Sequence, residues 1–196
     1  MKDQDLAKAG LPYNLWHCKN PGIEPLDATE IYLAGNNVVM MPDMKSRVQS
    51  MVWLAQDIGD QMNRYYRLPD EHKRKEPTPL LVDGTEISFP FTVKMIGVWD
   101  LVELFKATSK DDDRNFDDEV CKPDFYFLLD LGDELEYPNT FGAKVVREFF
   151  QARGQETLPV VVSLAKAPSK VMDKHGEHVY EEFKELLQGA VRVRLA

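Results

Sequence analysis

Residues 130–134 read Asp-Leu-Gly-Asp-Glu. Three carboxylates within so short a span make a hard oxygen set of the kind Mg2+ takes. A metal held there could activate water or clamp a phosphate. Asp130, Asp133 and Glu134 are therefore the candidate metal ligands, and Mg2+-dependent phosphodiester cleavage is the reaction they would suit. Their place supports this, because they follow the almost wholly apolar run Phe125–Leu131. Sheets of α/β proteins gather ligands at the carboxyl ends of their strands. The plainer reading is a charged turn bent at Gly132. No second acidic cluster at a fixed spacing completes a nuclease signature.

Other reactive residues are scattered. His175 and His178 form an H-x-x-H and would share a helix face. With His17 and Cys18 they make four possible zinc ligands, but the spacing matches no standard zinc site. There is no Gly-x-Ser-x-Gly elbow. Neither Cys18 nor Cys121 has a context that would lower its pKa. No glycine-rich phosphate loop of the P-loop or dinucleotide type is present. No cofactor is expected, apart from Mg2+ in the metal reading. Two cysteines far apart, without a C-x-x-C, suit a reducing cytoplasm.

Charge is segregated. The net charge of the 196 residues is −9. Residues 111–136 hold eleven acids and two bases, which is the whole excess. Such a segment attracts basic surfaces and repels phosphate backbones. Asp111, Asp112, Asp113, Asp117, Asp118 and Glu119 are the candidate partner-binding residues. Upstream, Arg64, Arg67, Lys73, Arg74 and Lys75 form a basic stretch with Tyr65 and Tyr66. Cations beside stacking rings suit nucleic acid.

These residues need elements to position them. Ile31–Ala34 and Val38–Met41 flank Gly35-Asn36-Asn37 and predict a β-hairpin. Met44, Val48, Met51, Val52, Ala55, Ile58, Met62 and Tyr65 recur at spacings of three and four, which predicts one long amphipathic helix. Leu80–Val82 and Thr85–Phe89 around Asp83-Gly84 predict a second hairpin. Phe91–Ile96 predicts a strand, and Val98–Lys106 a short helix. The C-terminal half reads strand, helix, strand, helix, strand: 125–131, 141–153, 160–164, 175–187 and 191–195. The fold expected is α+β (mixed α/β), with a single mixed sheet of about six to eight strands. One domain, 1–196, is expected, with a possible subdivision near 107–122. No apolar run reaches the ~20 residues needed to span a bilayer, and no membrane contact is expected.

Without a complete catalytic set, the residues favour a non-catalytic, cytoplasmic interaction protein: a subunit, adaptor or inhibitor. Its acidic segment would engage a basic surface of a protein partner, with electrostatic steering of the encounter. The alternatives are the metal-dependent phosphodiesterase or nuclease at 130–134, and a nucleic-acid-binding subunit using 64–75.

Overall fold

The computed structural model describes residues 3–41, 46–66, 80–82, 85–87, 92–111, 113–131, 141–164, 184 and 189–194. In chain order the elements are α1 (Asp3–Lys8), α2 (Ala28–Ala34), β1 (Val38–Met40), α3 (Arg47–Tyr66), β2 (Leu80–Val82), β3 (Thr85–Ile87), β4 (Val93–Gly97), α4 (Val98–Thr108), α5 (Phe116–Cys121), β5 (Phe125–Leu131), α6 (Phe141–Gln155), β6 (Val160–Leu164) and β7 (Val191–Arg192).

Five strands form one sheet in the order β4-β5-β6-β1-β7. Every pairing in it is parallel. Parallel neighbours need crossovers, which lay helices over the faces of the sheet. Alternate strand residues accordingly enter two cores. Val38, Met40, Phe125, Phe127 and Val161 join α1, α2 and α3 on one face. Val39, Tyr126, Leu128, Val160, Val162 and Leu164 join α4, α5 and α6 on the other.

The expected mixed sheet of six to eight strands is therefore corrected to five parallel strands. One source of the error is local. Ile31–Ala34 is not a strand but the end of α2. Asp27 caps that helix by accepting a hydrogen bond from the Glu30 amide at 2.9 Å. Gly35 closes it with φ of 66°, the left-handed cap that glycine adopts most readily. Asn37 then ties the new strand into the sheet: its Oδ1 accepts from the Val160 amide at 2.8 Å, and its carbonyl from the Val191 amide. Leu80–Val82 and Thr85–Ile87 do pair antiparallel, but as a separate two-stranded ribbon. The expected helix at 175–187 lies largely outside the described residues, while α6 and β6 stand where the alternation placed them.

The long helix begins at Arg47 and buries Met51, Val52, Leu54, Ala55, Ile58 and Met62 completely. Large apolar side chains of this kind contribute about 1.5–3 kcal/mol each on burial. Two glutamines on α3 anchor the N-terminal arm. Gln56 accepts from the His17 amide at 2.7 Å, and Gln61 accepts from the Ala28 amide at 3.1 Å. The arm also occupies both sheet edges. Ala9 accepts from the Met95 amide on β4, and the Glu24 amide donates to Arg194 beyond β7.

At the amino end of the strands, Arg153 of α6 is almost fully buried. Its guanidinium donates to the carbonyls of Val120, Pro123, Asp124 and Pro159. It also lies over the Tyr126 ring. Burial lowers its pKa to about 10 and raises that of Tyr126 to about 12. One side chain thus joins α5, β5, α6 and the start of β6. Arg153→Ala should lower stability by about 3 kcal/mol, because charged hydrogen bonds are lost and buried carbonyls are stranded. Arg153→Lys should recover little of this, since an ammonium lacks the planar fork that reaches several carbonyls at once. Urea denaturation midpoints of the two variants check both statements.

Candidate functional site

The topology singles out one edge of the sheet. From β1 the chain crosses to the far edge strand β4 over the α3 face. It returns through β5 and β6 over the α4–α6 face. The order of strands therefore reverses at β1, between β6 and β7. In open α/β sheets, ligands bind in the crevice that such a reversal leaves at the carboxyl ends of the strands.

The register brings three strand ends to the same level. Met40 of β1 pairs with Ser163 of β6, and Leu164 of β6 pairs with Leu131 of β5. Asp130 is the penultimate residue of β5, so its backbone lies at this edge. Its side chain, Asp133 and Glu134 lie outside what the structure describes. Among the described residues, no cluster of three or more His, Cys, Asp and Glu could hold a metal.

The other component is the connection from β1 to α3. Ser46, its last residue, has φ of 55°, a left-handed conformation that costs a non-glycine residue energy. Its carbonyl accepts from the Ser50 amide at 2.9 Å, which starts the helix. The hydroxyl of Ser50, one turn into α3, is buried at 1% exposure without a hydrogen-bond partner among the described residues. In sequence, Lys45-Ser46 falls between β1 and α3, in the order in which a P-loop carries its Lys-[Ser/Thr] between strand and helix. Sequence reasoning missed these two. It paired Val38–Met41 with the wrong neighbour, and no glycine marked the turn. The usable signal was a fully apolar strand running into Lys-Ser at the head of the longest helix.

The described acids among the six partner-binding candidates lie before and within α5, on the chain that leads into the amino end of β5. Asn115 caps α5, accepting from the Asp117 amide at 3.1 Å. Asp117 and Asp118 stand exposed in its first turn, where negative charge suits the helix dipole. Glu119 is used internally: Lys122 Nζ lies 2.7 Å and Arg114 Nε 3.2 Å from its Oε1. The Lys122 hydrogen bond is the largest cause holding this carboxyl below its usual range. Asp111 and Asp113 are exposed, and Asp112 lies outside the described residues. Of the basic stretch, Arg64 is exposed and donates to the Asp60 carbonyl. Arg67, Lys73, Arg74 and Lys75 lie outside the described residues. Of the tryptophans, Trp16 and Trp53 are half-buried against the α3 core, and Trp99 is 44% exposed at the start of α4. Both cysteines are free.

A five-stranded parallel sheet in this order, with helices on both faces, is a Rossmann- or P-loop-like α/β fold. Solved structures share it. The DnaC helicase loader superposes with a TM-score of 0.60, at 10% identity, over 94% of this chain and 100% of its own. A putative primosome component from Streptococcus pyogenes serotype M3 gives 0.55, at 12% identity, over 100% and 97%. The replication initiator DnaA, bound to AMPPCP and single-stranded DNA, gives 0.53, at 10% identity. That match covers 86% of this chain and 44% of DnaA. No protein-family model matches the sequence, and no curated protein matches it. Among the described residues, no helix is long and apolar enough to cross a membrane.

These likenesses overturn the expected function. The expected non-catalytic subunit, adaptor or inhibitor is corrected, because the chain folds like helicase loaders and replication initiators. In the sequence the six acids stand out because no catalytic set is legible. The structure uses one of them in local ion pairs and leaves the other described ones in solvent. Glu119→Gln should lower stability by about 0.5–1 kcal/mol at neutral pH and low salt. A carboxyl held low in the folded state lends stability that is present above its unfolded pKa. That stability is lost as the pH falls through the folded value. The gap between parent and variant should therefore close in acid. Urea melts at about pH 7 and about pH 3 check this.

Proposed function

We propose that this chain is a DNA-replication protein of the helicase-loader or primosome kind, built on an ATPase-type α/β domain. The observation that carries this reading is end-to-end likeness. The DnaC loader and the primosome component are each matched over nearly their whole length, as is this chain. The likeness to DnaA, by contrast, takes in 44% of that protein. A shared sheet alone is weak support, because one fold hosts many functions. Agreement in extent adds to it, since the matches take in 94% and 100% of this chain. The partners implied are a replicative helicase and single-stranded DNA.

The test uses the purified chain and the hexameric replicative helicase encoded in the same genome. On size-exclusion chromatography with light scattering, the two should elute as one complex at micromolar concentrations. The chain should also raise the rate at which the helicase is loaded onto circular single-stranded DNA. A helicase that elutes alone and loads at its unassisted rate would overturn the proposal.

A further inference from the structure

The fold raises a question of chemistry that the residues answer. In P-loop folds, a nucleotide's phosphates lie where the first strand turns into its crossover helix. The loop works through its backbone. Glycines let successive N–H groups turn inward around the anion, a lysine reaches the outer phosphates, and a hydroxyl holds Mg2+. Aligned on Lys45-Ser46, the two glycines of G-x-x-x-x-G-K-[ST] fall on Val39 and Met44.

Val39 is not a loop residue. It pairs with Val162 on one side and Arg192 on the other, in the middle of the sheet. Its side chain is 1% exposed, within the core under α4 and α6. The strand thus continues through the position of the first glycine. Only Met41, Pro42, Asp43, Met44, Lys45 and Ser46 remain to join it to α3. Pro42 has no N–H to offer an anion. Asp43 adds a negative charge to this connection, which opposes binding of an anion. There is no glycine between Gly35 and Gly59. Lys45, Ser46 and, at the end of β5, Asp130 agree in type with a nucleotide site, but the sequence lacks the glycines from which such a cradle is built.

We infer that the β1–α3 connection of this chain does not cradle the phosphates of a nucleoside triphosphate. The inference rests on β1 and on the residues that follow it. It is independent of the helicase reading, and either can fail without the other.

The full chain is titrated with a fluorescent ATP analogue and, by calorimetry, with ATP, both in Mg2+. Lys45→Ala is run beside it, with Lys45→Gln as a second variant should the first not melt cooperatively. No saturation is expected up to about 1 mM, a dissociation constant at least a thousandfold weaker than a micromolar site. Parent and variant should give superimposable curves. Saturation that Lys45→Ala leaves unchanged would put the nucleotide elsewhere and uphold the inference. Saturation in the micromolar range, weakened tenfold or more by Lys45→Ala, would overturn it.

Discussion

The insertion of β1 between β6 and β7 is the contact on which the rest of the structure depends. Only three residues long, it is buried on both faces and paired on both edges. A strand so short cannot hold its place by its own ladder. Asn37 helps by bonding β6 with its side chain and β7 with its backbone, and the closing partner, Val160, lies 123 residues away in sequence. This long-range closure fixes where the strand order reverses. It therefore fixes which edge of the sheet can hold a ligand.

Around that centre, the two ends of the strands have opposite characters. The amino end is locked by polar groups. The two terminal nitrogens of Arg153 donate to four carbonyls there, its buried Nε having no partner among the described residues, and Asp124 accepts from both the amide and the hydroxyl of Thr92. Burying a guanidinium carries a desolvation cost, which its lowered pKa records, and dense hydrogen bonding offsets it. The carboxyl end carries Ser46 at the head of α3 and the backbone of Asp130 at the tip of β5. Rigid support at one end and chemically varied residues at the other is the usual division in parallel α/β folds. Here the second half of that division is altered, because a buried valine stands where a phosphate loop would open.

Several features were legible from residues alone. The 3.6-residue stripe from Met51 to Met62 gave the long helix, since burial of one face imposes that period. The almost continuous apolar run at 125–131 marked a strand buried on both faces, with Asp130 near its carboxyl end. The segment around Ile31 shows the opposite case. Four apolar residues beside Gly-Asn-Asn fit a strand before a turn and a helix before a left-handed cap equally well. The cue that separates them is Asp27 with Glu30 three residues later, a helix-start pattern. It was outweighed by the turn signal.

By itself, then, the sequence determined the strongest local periods: the long helix, the helices at 98–106 and 141–153, the buried strands at 125–131 and 160–164, and where acids collect. These follow from side-chain size and polarity within a few turns of chain. Tertiary structure alone decided that β1 pairs in parallel with β6 and β7 rather than folding back as a hairpin. It also decided that Met40, Ser163, Leu164 and Leu131 end at one level and that Val39 lies inside the sheet. A parallel pair draws its strands from distant parts of the chain, so no local signal names the partner. The choice is made by the shared core they bury.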